Sequence, residues 1–288
     1  MKTAQQVVIF LLRAKVNFQA AISTQWAVRT AFRIFSTPYR KPRPVAPPIF
    51  EKSTGVHLKV NNLDIFGYCW HPERENKILI IHGFESRAYN FDRYIQPLIK
   101  AGYGVYAMDA KAHGKSQGKT ITVPEYVDML RSLEAKVGKF NAYMAHSFGG
   151  LAISLYQEEG GNEKARMVLI APATETSSAI DLFARFFKIS QQVKLGIDQY
   201  IKDKSGKPPA YYSIKRAMEY IKNPVLWIHD EDDDITPLED VKPLINSGLN
   251  NIEFMITSGL GHRRIYKDNN VVKKTIAFLT ASSPESTS

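Results

Sequence analysis

The spacing of apolar positions changes three times along this chain. Residues 3–36 contain neither Pro nor Gly. Within them Leu11, Ala14, Phe18, Ala21, Ile22, Val28, Phe32 and Phe35 recur at helical spacing, which predicts one long helix with one apolar stripe. Gln25 interrupts the stripe, and Ile9, Val16 and Ile34 fall on the opposite side. Residues 37–48 then hold five prolines and predict an extended linker of polyproline II character, ending by residue 50.

From residue 51 the pattern becomes short apolar runs alternating with amphipathic stretches. Residues 56–60 and 63–70 flank Asn61-Asn62 and predict a hairpin. Strands are predicted at 77–81, 104–108, 141–145, 166–171, 224–229 and 252–257, and helices at 90–101, 124–137, 148–157, 238–246 and 268–280. The alternation stops over 175–222, which reads as helical pieces without a strand. Repeated strand–helix units imply an α/β fold, a doubly wound, mostly parallel sheet with helices on both faces. The predicted organisation is a helical arm at 1–36, a linker at 37–50, an α/β domain at 51–280 with a small helical cap at 175–222, and a frayed polar tail at 281–288.

Composition supports a sizeable core. Hydrophobic residues make up 44% of 288 and aromatics 11%, which excludes wholesale disorder. The single cysteine, Cys69, excludes an intrachain disulfide and the paired-cysteine zinc frameworks, and fits a reducing compartment such as the cytoplasm.

Charge is unevenly spread. Residues 1–50 carry eight basic residues and no acidic one, whereas residues 51–288 carry 30 basic and 28 acidic, a net of +2. The basic excess therefore belongs to the arm and linker, and bears on where the chain sits rather than on what it acts on. The longest early apolar run, residues 7–12, is far short of the roughly 20 residues that span a bilayer and shorter than the roughly 7–15 of a secretory core, and no A-x-A cleavage site follows, so neither a transmembrane helix nor a cleaved signal is expected. Two readings of the arm remain: a helix docked on the protein's own body or in a dimer, or an interfacial helix at the inner membrane face. Nucleic acid is not an expected partner, since basic and aromatic residues do not interleave as stacking platforms.

Four segments carry candidate chemistry. Ala145-His146-Ser147-Phe148-Gly149 follows a strand and opens a helix, the setting of a nucleophile elbow of pattern G-x-S-x-G, with Ala145 for the first glycine. The tight turn lifts the hydroxyl out of the sheet and aims the helix N-terminus at it; an ordinary capping serine is the plainer alternative. His82-Gly83-Phe84 follows another strand, where a loop supplies an oxyanion donor, so Phe84 and Phe148 N–H are the candidate pair. The strand ending at His229 leads into an acidic loop, Asp230 to Asp234, from which an acid could hold a histidine; a solvated loop or weak cation site is the alternative. Gly259-Leu260-Gly261-His262 follows the last strand, where a histidine can act as general base, or simply cap the next helix. Chain order is Ser147, Asp233, His262.

These motifs together resemble the α/β-hydrolase fold superfamily, in its serine-nucleophile branch, over about residues 51–280. His82-Gly83-Phe84 resembles its oxyanion loop, Asp109 to Ser116 its D-x-x-x-H-G-x-S turn, and His229 to Pro237 its H-G-x-x-D-x-x-x-P acid loop, which puts the acid at Asp233 with Asp232 as alternate. Gly261-His262 resembles its base motif. Ala145 and Asp230 stand where the family usually has glycine. Residues 31–40 and 259–265 further resemble a bacterial branch of hydrolases with a basic N-terminal arm.

The resemblance implies a serine hydrolase of carboxylic esters that needs no metal or cofactor, with Ser147, His262 and Asp233 catalytic and Phe84 and Phe148 N–H holding the oxyanion. Leu182, Phe183, Phe186, Phe187, Tyr200, Tyr211 and Tyr212 in the cap suggest an apolar or aromatic small-molecule ester. Acyl transfer, thioester, amide or C–C bond cleavage on the same residues, and a non-catalytic binding protein, are the alternatives. His113 is expected to be structural, and His146 to shape the acyl pocket or pack.

Overall fold

The computed structural model describes residues 3–38 and 45–281. Two helices come first, α1 (Thr3–Ile22) and α2 (Thr24–Ser36). The α/β body follows as β1 (Thr54–Val60), β2 (Leu63–Trp70), β3 (Lys77–Ile81), α3 (Asp92–Lys100), β4 (Gly104–Met108), α4 (Val123–Val137), β5 (Ala142–His146), α5 (Phe148–Glu158) and β6 (Arg166–Ile170). The cap holds α6 (Thr176–Phe187), α7 (Gln191–Ser205) and α8 (Ile214–Ala217). The chain then returns through β7 (Val225–Asp230), α9 (Lys242–Ile245), β8 (Ile252–Thr257), α10 (Gly261–Arg264) and α11 (Asn269–Thr280).

Eight strands form one sheet in the order β1-β2-β4-β3-β5-β6-β7-β8. Strands β3 to β8 run parallel, and β1 and β2 are antiparallel at one edge. Their hairpin turns on Asn61 and Asn62 at φ 50° and 63°, the left-handed pair a two-residue hairpin requires and asparagine tolerates. The central strands are buried on both faces, which is why they read as continuous apolar runs. Their alternate residues divide between two cores. Ile78, Ile80, Met144, Ile170 and Ile228 share one with α3 and α11. Leu79, Ile81, Tyr143, Leu169 and Trp227 share the other with α4, α5, the cap and the arm. This is the doubly wound α/β sheet expected.

Two expected helices change, and one reading of the arm is decided. The arm is not one helix: Ser23 leaves helical geometry at φ −156°, ψ 115° and its side chain accepts the Trp26 N–H, so a capping serine restarts the chain as α2. The arm also docks on the protein's own body, the first of its two expected readings. Ala27, Val28, Ala31 and Ile34 are buried, Phe32 meets Tyr200 of α7 at 5.1 Å, and Phe35 meets Phe183 of α6 at 5.3 Å. Ser36 carbonyl accepts the Ile121 N–H of the body at 2.9 Å. Finally, the helix expected at 238–246 is a 3-10 turn, Leu238–Asp240, then the single turn α9, because Pro243 lacks an N–H and is tolerated only at a helix start. Within the predicted linker, residues 39–44 lie outside the described residues, while Pro48–Lys52 forms a 3-10 turn whose Phe50 packs on Tyr68, Trp70 and Tyr89. The expected tail lies outside them from residue 282.

Candidate active site

The site gathers at the carboxyl ends of β3, β5, β7 and β8. Ser147 sits between β5 and α5 at φ 53°, ψ −122°, a region an L-residue rarely occupies and a surrounding structure must impose. Two close approaches impose it. A Cβ on Gly149 would fall 2.6 Å from the His82 carbonyl oxygen, and one on Gly83 would fall 2.7 Å from Ser147 Cβ. Ala145 is fully buried between β3 and β6, and its methyl is accommodated.

Ser147 Oγ lies 2.9 Å from His262 Nε2, and His262 Nδ1 lies 2.8 Å from Asp233 Oδ2. All three are buried. Asp233 Oδ1 accepts the N–H groups of Ile235 at 2.9 Å and Thr236 at 2.8 Å. Burial pushes the Asp233 carboxyl up, but the bond and charge of His262 and these N–H groups outweigh it and hold it below the ordinary carboxylate range. Asp232 is turned away and accepts the Gly259 N–H at 2.7 Å. Of the two acids singled out from sequence, Asp233 is the one bonded to His262.

Phe84 and Phe148 lie side by side, their rings 6.1 Å apart and nearly perpendicular. Among the described residues neither N–H has an acceptor, as donors reserved for an incoming oxygen require. The loop that carries Phe84 is held from three directions. Ala110 N–H donates to His82 Nε2 at 2.9 Å, so His82 carries its proton on Nδ1, which donates to the Gly83 carbonyl at 2.7 Å. Burial lowers His82 to about 4 and keeps it neutral. Tyr126 hydroxyl donates to the His82 carbonyl at 2.9 Å. His113 Nε2 accepts the Glu85 N–H at 3.0 Å, the structural role its place in the Asp109 turn suggests.

Three supporting residues were not assigned these contacts from sequence. Thr236 Oγ1 lies 2.9 Å from Asp233 Oδ2 and 3.1 Å from His262 Nδ1, so it donates to the carboxylate beside the imidazole. Asp230 departs from the usual glycine, and its carboxylate accepts the Gly261 N–H at 2.8 Å, the Leu260 N–H at 3.1 Å and the Thr257 hydroxyl at 2.6 Å, fixing the loop that presents His262. His146 Nε2 donates to the His262 carbonyl at 3.1 Å, and burial, then the nearby His262, lower its pKa to about 3. A polar residue facing the base loop at the end of β5 or β7 was the signal available for the last two.

A cavity of about 850 Å³ opens over Ser147. Leu182, Phe183, Phe186, Tyr200 and Tyr212 of the cap line it as expected, while Phe187 and Tyr211 do not. Phe32, Phe35 and Ser36 of α2 complete its wall. The arm therefore shapes the space in which a substrate would lie, contrary to its reading as separate from the chemistry.

Residues 72–204 match a family model described as serine aminopeptidase, S33. An uncharacterized protein of Bacillus subtilis, YqkD, is 24% identical over 239 residues, covering 78% of each chain. A monoacylglycerol lipase of Mycolicibacterium smegmatis is 26% identical over 121 residues, covering 38% of this chain and 43% of that one. Among solved structures, an esterase of Pyrococcus furiosus superposes with a TM-score of 0.60 at 22% identity, covering 83% of this chain and 96% of that one. A monoacylglycerol lipase of Paleococcus ferrophilus gives 0.58 at 23%, covering 75% and 98%.

Proposed function

We propose that this chain, which belongs to the α/β-hydrolase fold superfamily, is a serine hydrolase that cleaves carboxylic esters of apolar or aromatic alcohols or acids. The observation that carries the reading is the Ser147 Oγ–His262 Nε2–Asp233 Oδ2 chain of contacts, 2.9 and 2.8 Å, at the floor of an apolar cavity.

The chemistry follows from that geometry. Ser147 Oγ attacks the ester carbonyl carbon as His262 Nε2 takes its proton. The imidazolium is held by Asp233, which stays ionised and keeps the remaining proton on Nδ1. Negative charge collects on the former carbonyl oxygen, where the Phe84 and Phe148 N–H groups receive it; one such donor is worth about 3–4 kcal/mol in the transition state. His262 then protonates the leaving alkoxide. Water, activated by the same histidine, releases the acid and restores Ser147.

Relatives and neighbours named as esterases and lipases support ester hydrolysis. The family description raises peptide cleavage from an amino terminus as a second reading, which needs a carboxylate free to bind the substrate's ammonium. Of the three acids on the cavity wall, Glu125 is engaged by Lys111 and by the Thr122 N–H, Glu175 accepts the Ser213 hydroxyl at 2.7 Å, and Asp234 is exposed. The aromatic and aliphatic wall around Ser147 favours an ester.

A fluorophosphonate probe tests the proposal. Wild type should be labelled and hydrolyse short p-nitrophenyl esters, Ser147→Ala should take no label, and His262→Ala should lose turnover. Labelling that persists in Ser147→Ala, or normal turnover by His262→Ala, would refute it.

A further inference from the structure

The face of α1 that docks is not the face marked by the sequence stripe. Val16 and Gln19 are buried, with Leu12 and Ala20 packed against the core beside them. Val7, Leu11, Ala14, Phe18 and Ile22, spaced i, i+4, i+7, i+11 and i+15, point outward. Leu11 is 58% exposed, Phe18 67% and Ile22 62%. The helix thus has two apolar faces, one spent on the protein and one uncovered. A single exposed apolar residue needs no explanation, but a continuous row of them does.

Charge identifies the occupant. Residues 1–50 hold eight basic residues and no acidic one, and the cap, 175–222, holds nine basic and five acidic. The remaining residues hold 21 basic and 23 acidic, a net of −2. Residues 1–50 and the cap therefore carry the entire positive excess of the sequence, and the two helices of the arm, one of which carries the exposed stripe, hold Arg13, Lys15, Arg29 and Arg33 with no acidic residue. An outward apolar row on a strongly basic region matches an anionic lipid surface, where apolar side chains enter the interface and Lys15, exposed beside the row, can reach headgroups along its stem. No described helix is long and apolar enough to cross a membrane, so the contact is one of lying in the interface plane.

The stripe also has a bearing on the cavity. Arg13 of α1 sits 5.2 Å over the Phe186 ring and donates to the Phe186 carbonyl. Phe186 is 45% exposed and lines the cavity, so it forms part of the rim, and α1 borders that rim.

We propose that α1 rests its Val7–Leu11–Phe18–Ile22 face on an anionic lipid surface and sets the cavity rim against it, so that the apolar chain of the ester enters from that surface. The lipid contact stands by itself; the route of the ester rests on the hydrolase reading above.

The test compares the full chain with a Leu11→Glu/Phe18→Glu variant in co-sedimentation with phosphatidylcholine vesicles, with and without phosphatidylglycerol. Wild type should bind the anionic vesicles about tenfold more tightly than neutral ones, lose that preference in high salt, and exceed the variant by about tenfold or more. Both should hydrolyse a soluble short-chain ester at equal rates, which reports an intact fold, and the variant should be slower only on a long-chain ester dissolved in vesicles. Wild type that ignores vesicles, a variant that binds undiminished, or sedimentation equilibrium showing a dimer that the variant splits would overturn the lipid contact, the last by making the stripe a self-association face. Vesicle binding by a wild type that hydrolyses no soluble ester would leave the lipid contact standing and overturn the route, together with the hydrolase reading.

Discussion

The docking of α2 on α7 can be tested through one close approach. A Cβ on Gly196 of α7 would fall 2.4 Å from Val28 Cγ2, where a β-branched side chain in a helix has little freedom to turn aside. Gly196→Ala gains about 1 kcal/mol of helix propensity but forces the helices apart at a cost of about 1–3 kcal/mol, so alone it should be neutral to destabilising by about 2 kcal/mol. Val28→Ala removes two buried methyl groups and should cost about 2 kcal/mol. With the Cγ2 methyl gone, the new alanine meets no obstacle, keeps its propensity gain and fills part of the space. The double variant should therefore be more stable than the sum of the singles by about 2 kcal/mol, the size expected for residues in direct contact. Urea unfolding of the four proteins gives the cycle, and hydrogen exchange of the α2 amides shows where the energy resides. Additivity within about 0.5 kcal/mol would mean that α2 does not pack on α7 in solution, and the assignment of Phe32 and Phe35 to the cavity wall would fall with it.

The two adjacent acids should behave differently. Asp233→Asn should cost about three to four orders of magnitude in kcat with little change in ester KM, because it disturbs the imidazole tautomer, whereas Asp232→Asn, which only weakens exposed contacts with the Gly259 N–H and the Ser258 hydroxyl, should stay within about threefold; equal losses would contradict the bonding to His262. Stability should fall as pH drops from 7 to 5. His82 and His146 are held neutral with pKa values of about 4 and 3, so between those values and the unfolded value of about 6.5 the unfolded chain binds more protons, which costs the fold roughly 2 kcal/mol per histidine by pH 5. The depressed Asp233 adds to the same slope only below its unfolded value near 3.9, and thermal melts across this range in wild type and His146→Gln should show a shallower slope in the variant.

The parts of the molecule that could be read from sequence are those whose signal is local. β3, β4 and β8 have the predicted bounds because each is a short apolar run closed by turn residues, and the strand ends hold the chemistry because motif spacing places Ser147, Asp233 and His262 on the turns that follow β5, β7 and β8. What escaped was settled by partners distant in the chain. Thr236 reads as an ordinary loop residue until Asp233 and His262 are seen to converge on it across 26 residues. Asp230 reads as a departure from a glycine, yet the loop that swings His262 into place ends on its carboxylate. A substitution that costs a turn its glycine has thus acquired a bonding function of its own.

The arm shows why period alone identifies a face but not its neighbour. Over residues 3–22 apolar residues lie on more than one side, and the strongest stripe predicts the contact face, with Val16 and Ile9 opposite it. In the fold the relation is inverted: Val16 is 1% exposed and Phe18 67%. The inversion follows from the break at Ser23, since a straight helix would carry the same face through Val28 and Phe35, whereas two helices can each turn a different side to the cap. α2 then spends the continuation of the stripe on α7 and the cavity wall, and α1 leaves its share uncovered. Docking and an outward apolar face are therefore not alternatives for this arm; the same chain break permits both, and it ties the residues that would touch a surface to those that enclose the substrate through a single turn of backbone.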